Sequence, residues 1–217
     1  MDSTSSDINR EPENIGVKST FVDSPENDIG SSMQFIGNFL EDPGDLNHIV
    51  QNKIWVTSDT HFHHRNILIY EATNRQFKDV DEMDRAMIER WNSVVRPCDV
   101  VLHLGDVAFA GKTITQNIVQ KLNGRKWLLL GNHDRDKKFD WQEIGFERVF
   151  SSPFKMDGKF IFSHEPLAEI PDGMVNIYGH VHGSKHYNTM DSNRFCACVE
   201  RHNLTPVEYF SIRNLYN

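Results

Sequence analysis

The sequence predicts an α/β fold in which stacked β-sheets are flanked by helices. Three observations carry that expectation. The middle of the chain alternates short apolar runs with amphipathic stretches, the pattern of βαβ units. The C-terminal part then changes to one strand-like run after another. Several of these runs end abruptly in a polar block rich in Asp, Asn and His.

The elements follow in chain order. "KIWVTSD" (Lys53–Asp59) is a short apolar run ending in a polar turn and reads as a buried strand. In "DEMDRAMIERWNSVV", Met83, Met87, Ile88, Trp91, Val94 and Val95 recur at helical spacing, so an amphipathic helix turns them to the core. Asp79, with Glu82 three residues on, predicts a capping box at its start. "DVVLHLGD" (Asp99–Asp106) is a second buried strand, and "TITQNIVQKLNG" a second helix closed by Gly124. "KWLLLGNHD" is a third strand and "DWQEIGF" a short helix. "RVFSSPFKM", "KFIFSHEP", "VNIYGHVH", "FCACVERH" and "PVEYFSI" read as further strands, with "MDGK" as a hairpin turn.

Residues 1–50 have a different texture. They are rich in Ser, Asp, Glu, Asn and Pro and poor in large apolar side chains. Such a segment buries too little surface to offset its ordering entropy, so it reads as a flexible extension preceding a domain at 51–217. "MQFIGNFL" (Met33–Leu40) is its one apolar cluster, able to dock on the domain or on a protein partner.

Composition narrows the function. The 217-residue chain carries a formal net charge of −8, which does not suit non-specific nucleic-acid binding. The locally basic "KLNGRKW" is a weak signal against that. The three cysteines, Cys98, Cys196 and Cys198, are not a disulfide framework. Alternation in "FCACVE" puts Cys196 and Cys198 on one buried strand face. No run approaches the ~20 apolar residues of a membrane helix, and no secretory signal is visible, so the expected location is the cytoplasm.

The chemistry gathers at the strand ends. They finish in Asp59-Thr60-His61, Gly105-Asp106, Gly131-Asn132-His133-Asp134, Ser163-His164 and Gly179-His180-Val181-His182. Ligands of open α/β sheets sit beyond the carboxyl ends of strands. Each block alone is a short motif with a turn or surface explanation. Together they offer oxygen from Asp59, Asp106 and Asn132 and imidazole nitrogen from His61, His164, His180 and His182, with no thiolate. That mixture suits Mn²⁺, Fe, Ni²⁺ or catalytic Zn²⁺ rather than a closed structural zinc site. The set is too large for one ion and suits two.

In this order the blocks resemble the motifs of the calcineurin-like metallophosphoesterase superfamily. "SDTHFHHRNI", "ERWNSVVRPCDVVLHLGD" and "LNGRKWLLLGNHD" are similar to its small bacterial and phage members. The resemblance runs from about Lys53 through the C-terminal strands. It implies two stacked mixed β-sheets in a four-layer α/β/β/α sandwich. It also implies a dinuclear, metal-dependent phosphoesterase acting on phosphodiesters, and on monoesters as a lesser activity, by attack of a metal-bridging hydroxide. By the same resemblance, Asp59, His61 and His182 hold one divalent ion, Asn132, His164 and His180 the other, and Asp106 bridges them. Mn²⁺ is the leading choice, with Fe, Zn²⁺ or Ni²⁺ as alternatives. His133 protonates the leaving oxygen, and Asp134 orients its imidazole.

By the resemblance, His64 matches a position near the metal cleft and contacts substrate or supports the ligands; Arg65, Asn66 and Arg135 are candidate phosphate contacts, since guanidinium suits phosphate. His63 lines the rim, and His103 is structural or supports the ligands from behind. His48, His186 and His202 read as surface residues. Without a large cap insertion, the expected substrate is small and accessible. Two other functions compete: a non-enzymatic protein-binding scaffold, and a nuclease or nucleic-acid end-processing enzyme.

Overall fold

Three parallel strands open the domain, with helices between them. They are β1 (Ile54–Thr57), β2 (Val100–His103) and β3 (Arg125–Leu129), separated by α1 (Ile67–Tyr70), α2 (Val80–Val94) and α3 (Lys112–Val119). The short α4 (Asn132–Arg135) and α5 (Trp141–Ile144) lead to β4 (Arg148–Phe150). The remaining strands are β5 (Phe154–Met156), β6 (Phe160–Phe162), β7 (Val175–Tyr178), β8 (Met190–Asp191), β9 (Arg194–Cys196) and β10 (Val207–Glu208). A 3-10 turn (Val199–His202) precedes β10, and α6 (Tyr209–Asn214) follows it. The computed structural model describes residues 52–135, 139–185, 187 and 190–216. The N-terminal extension, with His48 and the cluster at 33–40, lies outside the described residues, as does His186.

The strands form two mixed sheets, ordered β10-β1-β2-β3-β4 and β5-β6-β7-β9-β8. In the first, β1 to β4 are parallel and β10 joins β1 antiparallel. In the second, β6, β7 and β9 are parallel, flanked by antiparallel β5 and β8. The stacked, helix-flanked architecture expected from the sequence is therefore present.

Strand alternation sorts the first sheet between two cores. Trp55, Val101 and Leu128 face the helices, packing with Met83, Met87 and Trp91 of α2 and Ile118 and Val119 of α3. Val56, Leu102, Trp127 and Leu129 face the second sheet, packing with Phe154, Phe160, Phe162, Val175, Ile177 and Phe195. Because both faces are buried, these strands read as continuous apolar runs. The α2 cap forms as the spacing predicts: Asp79 Oδ1 accepts the Glu82 N–H at 2.8 Å. Glu82 reaches back to the Lys78 N–H, one residue before the expected partner.

Four elements differ from their sequence reading, the first being "RVFSSPFKM", read as one strand, which divides into β4 of the first sheet and β5 of the second. The strand seen in "FCACVERH" stops at Cys196, and Val199–His202 is the 3-10 turn. Long-range pairing is the reason: Cys198 bridges to Ser58, and the Val199 N–H bonds the Ser58 carbonyl at 3.1 Å, drawing the chain towards β1. In "PVEYFSI" only Val207–Glu208 is strand. Tyr209 and Ile212, three apart, both enter the inter-sheet core, which selects helix over strand. Helix α3 ends at Val119, and Gly124, with φ +92°, serves the later turn into β3. His202 is half-buried, its Nε2 2.7 Å from the Cys196 carbonyl oxygen, rather than a surface residue.

At the amino end of the first sheet, Asp99 is fully buried. Its carboxylate accepts from Lys53 N (2.9 Å), Trp55 Nε1 (3.1 Å), Arg96 N (2.9 Å) and Arg96 Nη2 (2.7 Å). Burial alone would raise its pKa, but these donors outweigh burial and hold it at about 2. A carboxyl depressed in the fold stabilises the native state above its unfolded pKa, and that gain fades as pH falls through the native value. Asp99→Asn is therefore expected to cost roughly 2 kcal/mol at neutral pH. Urea unfolding should show the gap from wild type closing between about pH 4 and pH 2. A gap independent of pH would refute the assignment.

Candidate metal centre

The loops that follow β1, β2, β3, β6 and β7 meet at one end of the sandwich. Asp59, His61 and His182 each offer an atom within 4.8 Å of the others, and so do Asp59, Asp106 and His164. Asp106 Oδ2 lies 3.4 Å from His61 Nε2 on one side and 3.6 Å from His164 Nε2 on the other, the placement of a shared ligand. Asn132 Oδ1 is 2.9 Å from His164 Nε2 and 3.2 Å from His180 Nδ1. His182 Nε2 is 3.9 Å from Asp59 Oδ1. All seven side chains expected as ligands thus gather in two adjoining groups.

The donor atoms fit divalent cations. Asp59 Oδ1 and His61 Nε2 are buried and lack a hydrogen-bond partner among the described residues. A buried carboxylate oxygen and an imidazole nitrogen left bare are costly unless a cation satisfies them. Cys198 is close, but burial pushes its thiol up, so it stays protonated and donates to Asp59 Oδ2 at 3.3 Å. Burial would also raise Asp106, yet the His61 and His164 imidazoles and the His133 N–H hold it at about 2.

Backbone conformation is unusual at these residues. Asp59, His61, Asp106, His180 and His182 all have left-handed φ, between 45° and 72°. For side chains with a Cβ, each costs roughly 1 kcal/mol or more. Loop-to-loop bonds enforce the conformation: Asp59 N to Gly105 O (2.9 Å), His61 N to Asp106 O (3.0 Å) and His180 N to Asp59 Oδ2 (2.7 Å). Glycine precedes three of the ligands because the loops crowd together. A Cβ on Gly179 would lie 2.4 Å from Asp59 Oδ2, and one on Gly131 2.2 Å from Asp106 Oδ1.

His133 stands at the mouth. Its backbone N–H bonds Asp106 Oδ1 at 3.0 Å, and its half-exposed ring places Nε2 4.0 Å from Asp106 Oδ2. Asp134 does not make the bond to the His133 imidazole that the resemblance implies. Its buried carboxylate accepts the N–H groups of Asp106 (2.7 Å), Val107 (3.0 Å) and Gly131 (3.0 Å) instead. Three inward-pointing amides leave no room for a role at the mouth, so Asp134 ties the β2 and β3 loops together.

Of the expected substrate contacts, His64 is at the centre: its ring lies 5.4 Å from His61 and stacks on Phe109 at 4.1 Å. Burial, then the neighbouring His61 and His133, lower its pKa to about 4, so it is neutral at pH 7. Arg65 and Asn66 are exposed at the start of α1. Arg135 is turned aside, its Nη2 donating to the Ser151 carbonyl at 2.6 Å. His63 is tied to α2, its N–H 2.9 Å from Asp84 Oδ1. His103 is structural, its Nε2 2.9 Å from Thr60 Oγ1.

The sequence reading missed Arg75 and Glu200. Both are buried behind the centre. Glu200 Oε1 lies 2.9 Å from His182 Nδ1 and accepts from Arg75 Nε (2.8 Å) and Nη2 (2.5 Å). Arg75 also donates to the Asp59 carbonyl (2.7 Å) and the Thr60 carbonyl (2.8 Å). A carboxylate on one imidazole nitrogen fixes the ring and turns the other nitrogen to the ligand cluster. Burial would lower His182, but Glu200 and Asp59 raise it to about 9, so a cation arriving at Nε2 displaces a proton. The one hint in the sequence was a glutamate closing the apolar run "FCACV".

The profile of the calcineurin-like phosphoesterase family matches residues 52–210, and the chain belongs to that family. An uncharacterized protein of Methanocaldococcus jannaschii is 33% identical over 148 residues, covering 66% of this chain and 74% of that protein. The Gene 66 protein of Mycobacterium phage L5 is 39% identical over 84 residues, covering 37% of this chain and 39% of that protein. A crystal structure of a protein of unknown function from Aquifex aeolicus superposes with a TM-score of 0.60 at 28% identity, covering 76% of this chain and 99% of that one.

Proposed function

We propose that the chain hydrolyses phosphoesters, phosphodiesters foremost, with two divalent cations, Mn²⁺ foremost, held by the seven converging side chains. The placement of Asp106 Oδ2 between His61 and His164 carries this reading, because a shared carboxylate is what a paired-ion clamp requires. Asp59, His61 and His182 would hold one ion and Asn132, His164 and His180 the other. Bound there, the ions would act as Lewis acids that lower the pKa of water and offset charge on phosphorus. The chain supplies the rest. Asp106, Asp59 and the buried imidazoles fix the ligand geometry before substrate arrives. His133, exposed above Asp106, donates its ring proton to the departing alkoxide oxygen, which leaves as the alcohol. The three free cysteines fit a reducing compartment such as the cytoplasm, and no helix among the described residues is long and apolar enough to cross a membrane.

The test combines elemental analysis with turnover of bis(para-nitrophenyl) phosphate. Two Mn²⁺ per chain are expected, with hydrolysis lost to chelator and restored by Mn²⁺. Each cation at a hundred times its Kd should also stabilise the fold by about 2.7 kcal/mol, read as a rise in Tm. Cation binding without turnover of any diester or monoester would defeat the hydrolase reading and favour a binding scaffold.

A further inference from the structure

We propose that Cys198 is a positioning residue: its thiol holds one oxygen of Asp59 away from the cations, so that Asp59 binds through the other oxygen alone and Asp106 is left as the shared ligand. This rests on the paired-cation reading of the centre and deepens it. Both carboxylates lie where either could be shared. Asp59 offers an atom within 4.8 Å of ones from His61 and His182, and also an atom within 4.8 Å of ones from Asp106 and His164. Something must therefore decide which carboxylate serves both groups.

The two oxygens of Asp59 are treated unequally. Oδ1 faces His61 Nε2 at 4.0 Å and His182 Nε2 at 3.9 Å. It is buried and has no hydrogen-bond partner among the described residues. Oδ2 accepts the His180 N–H at 2.7 Å and the Cys198 thiol at 3.3 Å. A carboxylate oxygen has about two lone-pair directions, and two donors occupy them. Gly179 closes the remaining side, its backbone so near that an added Cβ would collide with Oδ2. A cation is thus left Oδ1 only. Asp106 is arranged differently: its Oδ1 accepts the His133 N–H at 3.0 Å, while its Oδ2 lies between His61 and His164.

Backbone pairing puts the thiol in place. Cys198 bridges to Ser58, the residue before Asp59, and the Val199 N–H bonds the Ser58 carbonyl at 3.1 Å. A thiol is a weak donor, but a charged acceptor strengthens the bond, and full burial of Cys198 shields it from bulk water. Two residues on, Glu200 Oε1 lies 2.9 Å from His182 Nδ1. One short segment therefore steadies two of the three side chains assigned to the same cation. A cysteine buried for packing alone would not select an oxygen. Serine separates the two roles, since it keeps a donor and alanine does not.

The experiment uses the full chain, stripped by chelator, and titrates Mn²⁺ by calorimetry into wild type, Cys198→Ala and Cys198→Ser. The visible spectrum of each protein loaded with Co²⁺ is recorded in parallel. The expected result is two sites in wild type, one of which loses affinity on the order of ten-fold in Cys198→Ala and regains most of it in Cys198→Ser. The cobalt absorption of Cys198→Ala should also weaken, because a freed Oδ2 adds a ligand and a higher coordination number lowers the intensity. Wild-type affinity with an unchanged spectrum in Cys198→Ala overturns the proposal, even while the protein hydrolyses esters. An equal loss in both variants assigns the thiol to packing and likewise overturns it. A thiolate-to-cobalt charge-transfer band in wild type, lost in both variants, makes Cys198 a ligand and overturns it too. The expected affinities and spectra without turnover of any ester uphold the positioning role and remove the hydrolase reading.

Discussion

His133→Ala is expected to lower kcat by ~10²–10⁴-fold while cation content stays at the wild-type level. The separation follows from geometry. The ring lies outside the group of seven donors and is half-exposed above Asp106, with its Nε2 4.0 Å from the carboxylate. Removing it strips no ligand, because the contact made to Asp106 at hydrogen-bond distance is the backbone N–H, which alanine keeps. The loss should depend on the leaving group. An alkoxide needs a proton as it departs, whereas para-nitrophenolate is stable without one. The variant should therefore fail badly on alkyl esters and mildly on nitrophenyl esters. An equal loss on both, or a fall in cation content, would remove the proton-donor role.

The second large effect is expected at Gly131. A Cβ there would sit 2.2 Å from Asp106 Oδ1, 2.6 Å from Asp106 N and 2.9 Å from His164 Cε1. Neither side can retreat cheaply. Asp106 N is anchored on Asp134 Oδ2 at 2.7 Å, and Gly131 N on the same oxygen at 3.0 Å. Gly131→Ala must therefore spread the β2 and β3 loops, at about 1–3 kcal/mol of stability. It also displaces the shared carboxylate, with cation affinity expected to fall on the order of 10²-fold. Gly111→Ala is the control: a Cβ there meets nothing within 4 Å among the described residues, so cation affinity should stay at the wild-type value, with about 0.5–1 kcal/mol of stability lost because alanine caps a helix less well than glycine. Calorimetric titration with Mn²⁺ separates the two. Wild-type affinity in Gly131→Ala would refute the crowding argument.

Local signals made much of this molecule readable from sequence. The apolar runs of β1 to β3 and the Met83–Met87–Trp91 stripe announce their burial without help from the rest of the chain. The polar blocks were legible because strand ends gather at one edge of a sheet. Where the decisive partner is distant in sequence, the reading failed. Cys198 turns away from its strand because Ser58, far back in the chain, pairs with it. Asp134 adjoins His133 in sequence, yet its carboxylate is claimed by amides of two different loops. Arg75 and Glu200 belong to no motif, and only folding brings them together behind His182. The left-handed backbone at the ligands was invisible for the same reason: Asp and His give no hint of it, and the contacts that impose it are tertiary.

The donors are divided between the two sheets. Asp59, His61, Asp106 and Asn132 hang from the first sheet, while His164, His180 and His182 hang from the second. Cations seated among them would act as rivets through the two leaves, adding to the apolar seam and to the few polar ties across it, such as His180 N to Asp59 Oδ2. Any slippage between the leaves would then register as weakened cation affinity, even when its origin is a methyl group deep in the seam.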